Sequence, residues 1–574
     1  MSKLGAAPVG IYADDGVTLL GVMDDAGSQL GLNKTYSTFS KFISDYLGNK
    51  LGIGNCSVLG NRATSFYYDG TTLRATDGRQ AIRAVGGNAS LNDVFYTGAK
   101  STLSYSTHIA QNNILAIGIK VANYLFNESL NAPFSGSGTI TTNLTVEASI
   151  EYPIGGTRQR ITFNAANQGV IAPGTDLDSD LIVLTNLIPA GAKFRIWEMH
   201  LVTGTDSVMV NRNCYLPDGG DNLVYRTTTP GNFGATNVVT GTFAGATIDG
   251  GSYGQQGIRP ACIFGITDIP LPAVAAIGDS RVYGTFEEPD SSRFLGSIER
   301  MMGSLLTTQG FGVGGETGAQ FVSANGAKRR ATINKYFTHA VCDYGVNDIY
   351  QSGILTTTAL AAMLNNIANA LPSIQIYACT IRPVTSSTDG WITATNQSLS
   401  NAGGVNTAAI SNAARIAFNW MLRTGGTGKG AISAPVPGGL PGVYDYFDLA
   451  NDVECNSAGA LTQDGGFWLP LTASLTCSCT SNTITLSANP NNYDLTGSIV
   501  VSSPGSTGNS SRVLYQDSVN PLVWYIDGRL ASYTWASGVT VFNNSTSDGL
   551  HELPGSNRLH SPASNAKFPL YAFT

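Results

Sequence analysis

A serine, an asparagine, a block of glycines and an Asp/His pair stand in this chain in an order that could carry out nucleophilic chemistry. They fall in Gly278-Asp279-Ser280, in Gly312-Val313-Gly314-Gly315-Glu316-Thr317, in Gly345-Val346-Asn347-Asp348 and in Asp548-Gly549-Leu550-His551. A serine hydroxyl is a poor nucleophile at neutral pH. It needs a base within hydrogen-bond reach, and that base needs a partner to hold its tautomer. Neutral donors must also face the oxyanion that forms when the hydroxyl adds to a carbonyl. Ser280 can be the nucleophile, Asn347 an oxyanion donor, and Asp548 and His551 the pair that moves the proton.

The chain has five histidines. His108 and His200 lie in the first half, and His339 opens an apolar strand that reads His339-Ala340-Val341-Cys342-Asp343-Tyr344, where a structural role is expected. His551 follows Asp548 by three residues, so one short segment can present both side chains to Ser280. His560 is the rival base, because Ser561-Pro562 reads as a helix start. Three residues before it stands Asn557, and an amide does not stabilise an imidazolium as a carboxylate does.

These residues need elements to hold them. Ser280 directly follows the apolar run Val274-Ala275-Ala276-Ile277, which reads as a buried strand, so the serine sits on a strand-to-helix turn. Asn347 follows a second such strand. Helical stripes are expected through Leu295, Ile298, Met302 and Leu305, through Leu360, Leu364, Ile367 and Leu371, and through Ile410, Ala414, Ala417 and Met421. A strand is expected over 374–379. Strands alternating with helices imply a parallel sheet covered on both faces, with the site at the C-terminal ends of the strands.

On these four motifs in this order, residues 272–574 resemble the SGNH (GDSL-type) hydrolases, a family of α/β/α enzymes whose nucleophile lies in a GDS motif. The resemblance implies a three-layer α/β/α hydrolase domain and a Ser280, His551, Asp548 triad. It also implies an oxyanion hole made by the backbone N–H groups of Ser280 and Gly315 and the Asn347 amide. No cofactor is expected. The implied reaction is hydrolysis of a carboxylic ester through an acyl-enzyme. Glu552 departs from the family, which commonly has proline there. About two hundred residues separate Asn347 from His551, more than the usual core holds. The excess reads as a β-domain over 469–545, in which Trp524, Tyr525, Tyr533 and Trp535 are either buried core or stacking surfaces for sugar rings.

Other motifs fail on their context. Gly310 to Gly315 satisfies GxGxxG, but a dinucleotide site wants an acidic residue about twenty positions on, and that region holds Lys335. Gly428-Lys429 lacks the Ser/Thr of a phosphate loop. The eight cysteines are scattered apart from Cys477 and Cys479, which alternation places on one face of a strand, too widely spaced for a comfortable bridge. Buried thiols are expected, and no metal.

At 574 residues the chain exceeds one core. The divisions read are 1–115, mixed, with a helical stripe of Phe39, Phe42, Ile43, Tyr46 and Leu47; 116–270, a β-sandwich of jelly-roll type; 271–468 with 546–574, the hydrolase; and 469–545, the insertion. Charged residues are only 12% and glycine reaches 67 residues, a composition of strands and tight turns. A net charge of -7 with no basic stripe argues against a nucleic-acid partner. No apolar stretch approaches a membrane span, and Asp14 and Asp15 interrupt the run after Lys3, so no signal peptide is expected.

A β-rich enzyme of this kind could leave a cell by assembly into a bacteriophage tail. The expected substrate is then an O-acetylated bacterial surface polysaccharide, with other virion proteins bound through the N-terminal region. A homo-oligomer is left open, without a heptad to support it. The rivals are a lipase or thioesterase, and a receptor-binding virion protein that keeps the hydrolase fold as a scaffold.

Overall fold

The computed structural model describes residues 79–87, 100–124, 140–211, 257–284, 296–388, 393–424 and 443–469 almost throughout. It also describes short strands within 9–75 and 475–542, a few further short stretches, and Leu550. Asp548, His551, Asn557 and His560 lie outside the described residues, as do Leu295, Gly428, Lys429, Tyr533 and Trp535.

The parallel sheet is built from β1 (Ala273–Gly278), β2 (Thr307–Gly310), β3 (His339–Asp343), β4 (Gln375–Cys379) and β5 (Val443–Phe447), in the spatial order β2-β1-β3-β4-β5. All four pairings are parallel. Successive side chains of a strand face opposite sides of a sheet, and here both sides are apolar because both are covered. Ala275, Ile277, Ala340, Cys342, Ile376 and Ala378 pack into one core. Val274, Ala276, Val341, Tyr377 and Cys379 pack into another on the opposite face.

The helices divide between these cores. The second face is covered by α1 (Ser280–Tyr283), α2 (Gly296–Met302) and α8 (Leu449–Val453). The first face takes α3 (Gly318–Val322), α4 (Ala327–Tyr336), α5 (Val346–Tyr350), α6 (Thr357–Ala370) and α7 (Ala408–Thr424). The expected stripes are present with two corrections. α2 ends at Met302, so Leu305 packs from the turn beyond it rather than from the helix. In α7 Ile410 is 48% exposed, and the buried stripe runs instead through Ala414, Phe418, Met421 and Leu422.

Before this domain lies a sandwich of two antiparallel sheets. One places Leu144–Glu151 and Ser101–Ile109 on either side of Lys193–Val202. The other centres on Ile114–Ala122 beside Cys262–Thr267, with Arg83–Gly86 at its edge. Two strands that lie wholly before residue 116, Arg83–Gly86 and Ser101–Ile109, therefore belong to the sandwich. Phe264 of the sandwich stacks on Tyr336 of α4 with ring centroids 4.5 Å apart, and Lys335 pairs with Asp178 at 2.5 Å. The two units thus share one core cluster. Phe42, from the N-terminal stripe, is fully buried in that cluster and stacks on Phe66.

Strands between Leu475 and Phe542 close into a six-stranded antiparallel barrel in the region read as an insertion. Trp524 is 2% exposed there, which makes it core rather than a sugar platform. Cys262, Cys342, Cys379 and Cys455 are buried thiols outside any disulfide, and burial pushes the Cys342 thiol up to about 12.

Candidate active site

The strand order puts β2 and β3 on either side of β1, so the chain leaves the sheet in opposite directions at β1. In a doubly wound sheet of this order, ligands bind at that switch point, beyond the carboxyl ends of the strands. Three of the four motifs fall there. Asp279-Ser280 follows β1, the glycine block follows β2, and Gly345 to Asp348 follows β3.

Register and close packing draw these three segments together. Gly278 is level with Asp343 across β1 and β3. The β2 ladder continues past its last residue, because Phe311 N–H donates to Ala276 O at 2.7 Å and Val313 N–H to Gly278 O at 3.1 Å. A Cβ at Gly312 would lie 2.5 Å from the Tyr283 nitrogen and 2.9 Å from the Asp279 carbonyl oxygen, so only glycine lets this block press on the serine turn. Gly315 has φ +73°, a left-handed turn that redirects the chain into α3. The GxGxxG pattern is accounted for by this packing.

Ser280 opens α1, with Asp279 as its cap: Asp279 Oδ1 accepts from Arg281 N–H at 3.0 Å. Asn347, 4% exposed, sits on the first turn of α5. Its orientation is set from both ends, since Oδ1 accepts from Gln351 Nε2 at 2.9 Å while Nδ2 donates to Glu316 O at 3.1 Å. An amide so held has a second N–H on Nδ2 to offer. Asp348 caps the neighbouring helix instead, accepting from Gly318 N–H at 3.1 Å, and burial pushes its carboxyl up to about 6.

Residues adjoining the motifs form buried charge clusters that sequence reasoning missed. Behind Ser280, Asp279 and Asp343 lie among Arg281 and Arg382, all four buried. Arg382 Nη2 holds Asp343 Oδ2 at 2.7 Å. Burial, and then the charge of Asp343, push the Asp279 carboxyl up to about 7. Beside the glycine block, Glu316 is bound by Nη1 and Nη2 of Arg329 and by the Tyr344 hydroxyl. The one available signal was adjacency, Arg281 to Ser280 and Glu316 to Gly315. Nothing in sequence spacing marks Arg329, Tyr344 or Arg382 as their partners.

The described histidines have structural surroundings. His108 bonds Ser106 Oγ at 2.8 Å and Gly87 O at 3.1 Å, and His200 lies 3.1 Å from Glu198. His339 contacts Thr338 Oγ1 at 2.8 Å, and burial pushes it down to about 3, so it stays neutral. None of the three belongs to the turns around Ser280. The fourth motif meets the site through its described residue: Arg281 Nε donates to Leu550 O at 3.0 Å, and Leu550 packs against the core on the first face of the sheet. Leu550 stands between Asp548 and His551 in sequence.

No family model and no curated protein matches this chain. Among solved structures it is similar to a carbohydrate acetylesterase family member from Sinorhizobium meliloti, at 16% identity and TM-score 0.20, over 35% of this chain and 90% of that one. It is similar to the aryl esterase of M. smegmatis at 13% identity and TM-score 0.21, over 35% of this chain and 95% of that one. A salicylyl-acyltransferase from a tetracycline biosynthetic pathway aligns at 12% identity and TM-score 0.22, over 62% of this chain and 72% of that one. The fold assignment rests on the sheet order and site geometry above.

Proposed function

We propose that this protein is a serine esterase. Ser280 attacks the ester carbonyl, and the serine proton passes to His551, which Asp548 orients. The tetrahedral oxyanion is met by the N–H groups of Ser280 and Gly315 and by Asn347 Nδ2. Collapse expels the alcohol, which takes the proton from the histidine. Water, deprotonated by the same histidine, then adds to the acyl-enzyme, and collapse of the second tetrahedral state releases the acid while the histidine returns its proton to Ser280 Oγ.

The observation that carries this reading is the convergence of three motifs on one switch point, with Asn347 held by Gln351 and Glu316. The Arg281 bond to Leu550 supports His551 as the base, since it ties the DGLH segment to the nucleophile's own helix. The substrate we propose is an O-acetyl ester on a bacterial surface polysaccharide, with a bacteriophage tail as the setting. Both rest on the sequence resemblance.

The test is hydrolysis of a chromogenic acetyl ester and of an acetylated bacterial polysaccharide by wild type, Ser280→Ala, His551→Ala and His560→Ala, each checked for folding. Ser280→Ala and His551→Ala are expected to lose roughly 10⁴-fold or more in kcat, and His560→Ala little. If His560→Ala loses activity and His551→Ala keeps it, the base is reassigned to His560. Equal rates for wild type and Ser280→Ala would end the esterase reading.

A further inference from the structure

Glu316 is an acidic residue set next to a proposed oxyanion donor, a place where a negative charge ought to oppose catalysis. A carboxylate facing a developing oxyanion would repel it. The structure shows where that charge goes. The side chain is 3% exposed and turned into the protein, where Arg329 Nη1 meets Oε2 at 2.8 Å, Arg329 Nη2 meets Oε1, and the Tyr344 hydroxyl donates to Oε2 at 2.5 Å. Arg329 is anchored in turn, because Nη1 also donates to Phe311 O at 2.9 Å and the guanidinium lies over the Phe321 ring, 5.3 Å from its centroid. Both carboxylate oxygens are therefore used, by a planar fork and a phenol, in a geometry that permits little rotation.

The backbone of the same residue faces the other way, toward the site. Glu316 O accepts the Asn347 amide at 3.1 Å, and Glu316 N–H donates to Val313 O at 3.2 Å, closing the turn on which Gly315 takes its positive φ. One residue thus joins a locked side chain to two of the three donors assigned to the oxyanion hole.

We propose that Glu316 is the positioning residue of the oxyanion hole: clamped by Arg329 and Tyr344, it fixes the carbonyl that orients Asn347 and the turn that carries the Gly315 N–H. This inference rests on the esterase reading of the site. Glu316 touches no reacting atom and acts through Asn347 and Gly315. Donors held in place before reaction need no reorganisation as charge develops, so a loosened clamp should slow the chemical step more than it weakens substrate binding.

Glu316→Gln alone leaves the Arg329 charge buried and can unfold the protein, so the informative variant is Glu316→Gln with Arg329→Met, which removes both charges together. On a chromogenic acetyl ester this double variant is expected to lose on the order of 10-fold to 100-fold in kcat, less than removal of a donor outright, with KM within about 2-fold of wild type. In an Asn347→Ala background the same pair of changes should cost much less, because the amide it orients is already gone. An unchanged kcat in the folded double variant would overturn the proposal, as would a loss that adds in full to that of Asn347→Ala.

A crystal structure of the double variant gives a readout that does not depend on turnover. A rotated Asn347 amide or an altered Gly315 turn supports the positioning role, and unchanged geometry at both overturns it. Should Ser280→Ala prove as active as wild type, the esterase reading falls, and the crystallographic comparison still decides whether Glu316 positions these donors.

Discussion

Two buried ionic clusters flank the serine turn, and they balance their charges differently. In one, Glu316 meets a two-pronged guanidinium and a phenol, and both of its oxygens have partners. In the other, Asp279 and Asp343 share their surroundings with Arg281 and Arg382, and Asp279 Oδ2 has no hydrogen-bond partner among the described residues. A buried ion pair contributes to stability only when its geometry repays desolvation. The first cluster meets that condition, and Glu316 raises the pKa of Arg329, holding the guanidinium charged. The second leaves one carboxyl short of partners and beside a like charge, and that carboxyl takes up a proton well above the usual aspartate range. One cluster is thus built to stay put, while the other can change charge near neutrality, one residue from the nucleophile.

The comparison is broken most severely by Arg329→Met. With its guanidinium removed, Glu316 becomes a buried carboxylate with only Tyr344 for support, at an expected cost of about 3 to 5 kcal/mol in denaturant unfolding. Adding Glu316→Gln should recover most of that loss. If the single change costs no more than a surface substitution, the cluster is not an anchor. On the other side the expected effect is smaller and depends on pH. The folded pKa of Asp279 lies above that of an unfolded aspartate, so the folded state holds the proton more tightly, and its contribution to stability is lost as pH rises from about 4 to about 7. Asp279→Asn imitates the protonated form. It should remove a pH-dependent loss on the order of 3 kcal/mol between pH 4 and pH 8, leaving the opposed contributions of Asp348, whose carboxyl is raised to about 6, and His339, whose imidazole is pushed down to about 3. Unfolding midpoints across that range for wild type and variant check it, and identical slopes would remove Asp279 from the account.

The difference between the clusters also marks what sequence could and could not disclose. Strands β1, β3 and β4 were legible because each is an apolar run bounded by turn residues, and α6 because its stripe recurs at helical spacing. Ser280, Gly315 and Asn347 were legible as motif positions, and the sheet order brings their segments to one edge. Ile410 was misplaced because its spacing fits one helical face while the observed face turns on Phe418 and Leu422. The clusters were illegible for a different reason. Glu316 and Arg329 are thirteen residues apart and Asp343 and Arg382 thirty-nine, so their pairing exists only after the sheet has formed. Periodicity records which face of an element is buried, and it holds no information about which buried charges meet.

Arg281 links the second cluster to the fourth motif, and its replacement tests that link. Arg281→Met removes the bond to Leu550 O and leaves Asp279 nearer to an uncompensated charge. The expected cost is about 2 kcal/mol. Because a positive neighbour favours the charged form of a carboxyl, the Asp279 pKa should rise further and the pH slope should steepen. A plain structural loss would lower stability equally at every pH.

The smallest effect is expected from Tyr344→Phe, which removes one neutral donor and leaves the guanidinium fork in place. Burial holds the Tyr344 pKa well above its usual value, so the phenol acts there only as a donor. One hydrogen bond to the Glu316 carboxylate is expected to be worth about 1 to 2 kcal/mol of stability. If the fork alone fixes the carboxylate plane, kcat on an acetyl ester should stay within about 3-fold of wild type, since neither donor to the oxyanion is released. A loss in kcat as large as that of the Glu316→Gln, Arg329→Met pair would instead assign the clamp to the phenol. The guanidinium would then serve only to neutralise charge, and the two clusters would differ in their hydroxyl donor rather than in the bidentate geometry of their ion pairs.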